Sequence, residues 1–236
     1  QRQMCIRDSR ESGFTMDYKY ETFFKDLLVN ETYYIAVKDR KMVRRDVDGH
    51  AIALFWTKKE LAEAYFENRK DAYDKIIIRD LDRFVTSEMD DLFDKGDKVL
   101  VNVTDELDGH FIDIYEATKQ IMTELDRIRT VEFARITAKT DDVYGLTDRG
   151  NKQFIIISNN GENQPNFMPV WSDYQSALKV RDEDFEECDV DQVEGEVFSE
   201  WLDQLRDDDN GVGINLKPNV VGSIVSAQTL KNELSY

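Results

Sequence analysis

Residues 51–62 read AIALFWTKKELA, and residues 166–177 read NFMPVWSDYQSA. In each, an apolar run of strand type ends on a tryptophan, Trp56 or Trp171, then passes through Thr57 or Ser172 into helical spacing. The chain matches itself at about 110–115 residues, and this pair of strand-to-helix joins anchors the match. Working outward, Phe23 faces Phe133, Tyr33-Tyr34 faces Val143-Tyr144, and Ala62 faces Ala177. Met89 and Leu92 face Leu202 and Leu205, Val101-Asn102 faces Ile214-Asn215, and FIDIYEATKQI faces IVSAQTLKNEL. The offset changes only where turns change length, as duplicated domains diverge.

Each half reads as an α-β-β-β-α-β-α-β-β-α unit, an α+β fold with mainly antiparallel sheets, present as two tandem copies. The first helix carries Tyr20, Phe23, Phe24, Leu27 and Leu28 at 3-4 spacing. Three strands come next in each half: TYYIAVK, KMVRRDV and HAIALFW, or DVYGLT, KQFIIIS and NFMPVW. Asp48-Gly49 supplies a hairpin turn in the first half, and SNNGENQPN a longer one in the second. Thr57 three before Glu60, and Ser172 three before Gln175, predict capping boxes. KIIIR and FEECDV are the next strands. Val85, Met89, Leu92 and Phe93, matched by Phe198, Trp201, Leu202 and Leu205, give the third helix an inward stripe. It ends at Gly96 or at Asn210-Gly211. Asp113 and Ser226 are N-cap candidates for the closing helix. No Pro or Gly interrupts residues 113–144, so the last helix of the first half is expected to run into the first helix of the second, with a break near Arg127 to Thr130 as the alternative. The chain divides into a disordered or artefactual leader (1–16) and repeat domains at 17–125 and 126–236. The leader QRQMCIRDS lacks a signal-peptide apolar region. Residues 3–9 resemble the translation of a sequencing-library transposase adapter, making Met16 the expected native start.

The chain holds 31 Lys plus Arg against 49 Asp plus Glu, a net charge of −18. Proteins that neutralise nucleic-acid phosphates cluster Lys and Arg, so nucleic acid is excluded, and anionic membrane surfaces with it. The charge is spread: residues 17–125 carry −8 and residues 126–236 carry −11. Hydrophobic residues at 41% are too many for a disordered acidic tail. The longest apolar run, residues 51–56, is too short to span a bilayer. Cys5 and Cys188 give no disulfide framework. Cys188 reads as an apolar filler whose thiol the acidic surroundings push up. These features point to the cytoplasm.

His50 and His110 each follow Asp-Gly and each begins a strand, with no third ligand near in sequence. Residues 207–213, DDDNGVG, fail as a calcium loop, since the first and last ligand positions fall on Arg206 and Lys217. No Gly-rich phosphate loop, Ser-His-Asp or Cys-His arrangement is present, so no metal, cofactor or catalytic residue is predicted. The distinctive feature is residues 182–209, with fourteen acidic residues against Arg206. Its exposed candidates are Asp182, Glu183, Asp184, Glu186, Glu187, Asp207, Asp208 and Asp209, a docking patch for a basic protein.

The VYGL strand, the MPVWSDYQSA join, the FSEWLDQL helix, GVGINLKP and SIVSAQTLKNEL together resemble the bacterial domain-of-unknown-function family 2750 over about residues 131–234. The first half resembles a diverged member: it lacks a counterpart of Pro169 and of Gly213. The resemblance implies a small cytoplasmic α+β domain and no activity. The favoured expectation is a non-enzymatic protein-binding module, in one version immunity- or inhibitor-like, with its oligomeric state open. The alternative is a small-molecule sensor or enzyme with a pocket between the copies, lined by Trp56, Trp171, Tyr34 and Tyr144. A scaffold of two packed copies is the third option.

Overall fold

A computed structural model of the protein describes residues 18–47, 49–105, 108–159, 165–219 and 221–234. The leader with Cys5 and Met16, the side chain of Tyr20, Asp48 and residues 160–164 lie outside the described residues. The chain divides into unit 1, Gln1–Ala117, and unit 2, Thr118–Tyr236. Both are α+β.

Unit 1 opens with α1 (Tyr18–Asn30), which buries Phe23, Phe24 and Leu27 at the predicted spacing. Strand β1 (Thr32–Lys38) is next. The KMVRRDV segment is not one strand: it breaks at Val43 into β2 (Lys41–Met42), paired with β1, and β3 (Arg44–Val47), paired with β4 (His50–Phe55). The segment therefore crosses from one neighbour to the next. Helix α2 (Lys59–Phe66) and β5 (Lys75–Asp80) come after it. The predicted third helix is a composite of α3 (Leu81–Arg83), a π-helical turn (Phe84–Glu88) and α4 (Met89–Asp94), ending at Gly96 with φ +66°. Met89 and Leu92 face inward as expected, but Phe93 lies outward, 66% exposed, against the expected stripe. Strands β6 (Lys98–Val101) and β7 (His110–Ile112) complete the unit.

Strand β5 pairs antiparallel with β1. Strand β4 pairs parallel with β6, and β6 antiparallel with β7. The bridge Tyr34–Trp56, with reciprocal bonds of 2.7 and 3.0 Å, sets β1 beside β4. Side chains alternate between the two sides of these strands. Ala36, Ile52, Leu54 and Trp56 meet Ala62, Tyr65 and Phe66 of α2. Tyr33, Phe55 and Phe84 form a trio with ring centroids 5.3–5.4 Å apart.

Helix α5 (Ile114–Thr140) is uninterrupted, and Asp113 caps it by accepting from the Glu116 amide at 2.9 Å. The division between the units falls in its first turn. In unit 2 the order is β8 (Asp142–Asp148), β9 (Phe167–Trp171), α6 (Tyr174–Asp184), β10 (Cys188–Glu194), α7 (Gly195–Asp207), β11 (Gly211–Lys217), β12 (Val221–Ser226) and α8 (Ala227–Leu234). Only the second half of FEECDV lies in a strand, which starts at Cys188 and runs on to Glu194. One sheet of order β10-β8-β9-β11-β12 results, with β9·β11 its only parallel pair among the described residues.

KQFIIIS forms no continuous ladder. The Ile155 amide bonds Leu146 O at 2.9 Å, and Ile157 exchanges bonds with Phe167. The segment crosses from β8 to β9 as residues 41–47 cross from β1 to β4. FIII is apolar without alternation because neighbours flank it on both sides, with Ile155 and Ile157 packed with Trp171 and α6 and Phe154 with Met168 and α7, while Ile156 stays exposed.

Helix α6 therefore lies on one face of the sheet with Leu146, Trp171 and Leu216. Helices α5, α7 and α8 share the other with Val143, Met168, Val170 and Ile214. Gly213 is required here, since a Cβ would stand 2.8 Å from the Phe167 ring. In unit 1 the register puts Leu100 at that place and the smaller Ile52 at the place of Phe167, so no glycine is needed.

Candidate functional site

The two tryptophans that organise the sequence are core residues. Trp56 and Trp171 are both 0% exposed. The Trp56 indole Nε1 donates to Val103 O at 2.6 Å, and Trp171 Nε1 to Leu216 O at 2.9 Å. The residue after each is held by an asparagine. The Thr57 amide donates to Asn102 Oδ1 at 2.9 Å, and the Ser172 amide to Asn215 Oδ1 at 2.9 Å. The hydroxyls bond the same oxygens, at 3.2 and 3.3 Å. Both asparagines sit at positive φ, +51° and +45°, which asparagine tolerates better than most residues. This explains why neither capping box forms. The hydroxyls are engaged away from the helix starts (Thr57 also with Asp26 at 3.1 Å), α6 is capped instead by Asp173 (from the Ser176 amide, 2.7 Å), and Lys58 at the start of α2 caps nothing. Both rings therefore pack in the core and present no face to solvent. Tyr34 and Tyr144 are half-buried beside them. Burial first, then Asp142 and Asp173, push the Tyr144 hydroxyl above its usual pKa.

The acidic candidates do not form one patch. Asp182, Glu183 and Asp184 end α6, and Glu186 and Glu187 come after it on the same side of the sheet. Asp207, Asp208 and Asp209 end α7 on the opposite side. Several members are committed locally. Asp182 pairs with Arg181 (2.7 Å), Asp207 with Arg206 (2.8 Å), and Asp184 accepts from the Asn219 amide (2.6 Å). Lys152 and Arg149 hold Asp189 at 2.7 and 2.9 Å, and chiefly the Lys152 bond keeps its carboxyl below the usual range. Glu183, Glu186, Glu187, Asp208 and Asp209 are exposed.

Unit 2 does have a recess, on the α7 side. A cleft of about 500 Å³ is bounded by the crossing segment (Phe154, Ile156), Met168 of β9, and Trp201, Gln204 and Leu205 of α7. Asp208, Asn210 and Lys152 also line it. Trp201, expected inward, is half-buried and packs edge-on against Phe154, centroids 4.7 Å apart. Gly145 makes this possible: a Cβ there would meet the Phe154 ring at 2.7 Å. Ile156 is 42% exposed, so the cleft offers apolar surface to solvent in a lining that includes Asp208. Sequence reasoning missed Phe154, Ile156, Met168 and Gln204. Their signal was the unalternating FIII run, together with a strand glycine in VYGL that asks for a close neighbour.

Cys188 is buried, and burial first, then Glu187, raise its thiol pKa. That suits a filler rather than a nucleophile. His50 and His110 begin β4 and β7. Among the described residues no three of His, Cys, Asp and Glu group to hold a metal, and no helix is long and apolar enough to cross a membrane.

Residues 131–234, somewhat less than half of the chain, match the model of a protein family of unknown function, DUF2750. No curated protein matches the chain. Among solved structures, Anabaena Tic22 (protein transport) aligns at 11% identity over 81% of this chain and 91% of its own, with a TM-score of 0.24. Tic22 from Plasmodium falciparum aligns at 9% over 74% and 84%, with a TM-score of 0.22. Scores this low transfer neither fold nor role.

Proposed function

We propose that this protein is a non-enzymatic protein-binding module for a basic partner, acting in the cytoplasm. The observation that carries this reading is the unit 2 cleft, which combines the exposed Ile156, half-buried Phe154 and Trp201 rings and the Asp208 carboxylate in a strongly acidic half-chain. Interfaces of this kind use a buried aromatic anchor for affinity and surrounding charge for encounter rate and partner choice. The acidic ends of α6 and α7 face opposite sides of the sheet, so the α7 end, beside the cleft, is the proposed contact.

We further propose that the two halves are copies of one unit, the first diverged. Their strand orders, the register of the Tyr–Trp and parallel pairs, and the Trp–Asn contacts support this. A pull-down at low and high salt tests the binding reading. A basic protein is expected on the wild-type chain at low salt, to be shed at high salt, and to be lost when Asp207, Asp208 and Asp209 are changed to Asn. If no basic partner is retained at low salt, the reading fails.

A further inference from the structure

We infer that the unit 2 cleft takes an arginine side chain presented by the partner, an inference that rests on the binding reading above. The chain itself contains the template. In unit 1, the Val43 amide bonds Ala36 O at 2.9 Å, as the Ile155 amide bonds Leu146 O at 2.9 Å in unit 2. Arg44 and Ile156 therefore stand at the same place, one residue further along each crossing segment. At the helix ends, the Asp97 amide bonds Leu92 O at 3.0 Å and the Asn210 amide bonds Leu205 O at 2.8 Å. Asp97 thus corresponds to Asn210, and Asp91 to Gln204.

In unit 1 a guanidinium bridges these elements. Arg44 Nε donates to Asp97 Oδ2 at 2.5 Å, and its Nη2 lies 3.7 Å from Asp91. The Asp97 side chain is only 5% exposed. In unit 2 the same route starts from Ile156, which cannot reach across, and the space that Arg44 bridges in unit 1 is open as the cleft. What unit 2 lacks is a planar cation on an aliphatic stem. Its lining suits one: Ile156 and Phe154 for the stem, the Trp201 ring for a stacked guanidinium, and the Asp208 carboxylate with the Gln204 and Asn210 amide oxygens for its N–H groups. Lysine satisfies this less well, because its ammonium is a point charge that neither stacks nor forks. The lining cation Lys152 is already matched by Asp189 at 2.7 Å.

The test titrates the full chain with acetyl-Leu-Arg-Leu-amide and with its citrulline counterpart, which keeps the shape and loses the charge. Three tryptophans give three indole N–H signals by NMR; those of Trp56 and Trp171 are bonded in the core and should stay still while that of Trp201 moves. The arginine peptide is expected to bind about tenfold more tightly than the citrulline peptide, the scale of one charge-assisted contact. Asp208→Asn should erase that preference. Ile156→Arg, which supplies the guanidinium from within as Arg44 does, should abolish binding with the Trp56 and Trp171 signals unchanged. Equal binding of the two peptides overturns the inference, as does full binding by a folded Ile156→Arg variant. A salt-sensitive basic partner that Ile156→Arg still captures sinks the arginine cleft alone; no capture by the wild-type chain sinks the binding reading with it.

Discussion

Unit 1 and unit 2 fill the same places with opposite chemistry. Where unit 1 has Arg44 bonded to Asp97, unit 2 has Ile156 near Asn210. Where unit 1 has Tyr33 donating to Glu88, with Arg83 3.2 Å and Arg79 3.5 Å from the same carboxylate, unit 2 has Val143 and Trp201. Ile35 and Met42 in unit 1 stand where Gly145 and Phe154 stand in unit 2, by strand register. The changes come in matched sets. A buried carboxylate is tolerable only with its cation and hydrogen-bond partners, and a large ring only where a neighbour gives up its side chain. A common frame of strands can therefore be stabilised by an ionic bridge on one side of the comparison and left as an open apolar recess on the other.

The largest effect should come from what the two units share. Trp56→Ala and Trp171→Ala are each expected to cost ~3–5 kcal/mol, since each empties a core position and strands a carbonyl. Denaturant unfolding should give similar losses; a large loss for one and a negligible one for the other would break the correspondence.

The next effect separates the units. Arg44→Ala leaves the Asp97 carboxylate buried without its cation and should cost ~1–3 kcal/mol. Ile156→Ala, at an exposed site, should change stability by less than about 0.5 kcal/mol. Gly145→Ala should cost ~1–2 kcal/mol, because the added methyl displaces Phe154 from its seat. A red shift of Trp201 emission would report the opened contact; unchanged emission would argue against it.

The smallest effects are electrostatic and exposed. Lys95 holds the Asp91 carboxyl below its usual pKa in unit 1; Lys152 does the same for Asp189, and Lys231 for Asp203, in unit 2. Each group is more acidic folded than unfolded. Its contribution is therefore present above the ordinary carboxylate pKa and is lost as pH falls through the depressed folded value. Carboxyl NMR titration should find all three below the usual range, with Asp189 moving back up in Lys152→Ala. A titration of Asp189 unaffected by that change would show that the ion pair does not persist in solution.

Much of the fold was legible because its signals are short-range. The stripe of α1, the extents of β1 and β12, the Gly96 stop, the caps at Asp113 and Ser226 and the unbroken α5 each depend on residues within a turn or two. The candidate site was not legible. In sequence Trp201 reads only as a core residue, and the acidic run looks continuous because distance along the chain says nothing about which face of a sheet each end reaches.

By itself, then, the sequence determined the fold class, most of the helices and strands, their apolar faces and the acidic balance, since these stem from side-chain period and composition. Only the tertiary structure decided that β4 and β9 take β6 and β11 as parallel neighbours, and that residues 41–47 and 152–157 cross between strands. It also took the Thr57 and Ser172 hydroxyls for asparagines more than forty residues away, and left unit 2 open where Arg44 bridges unit 1. Those outcomes rest on contacts between residues far apart in the chain, whose energies no local pattern encodes.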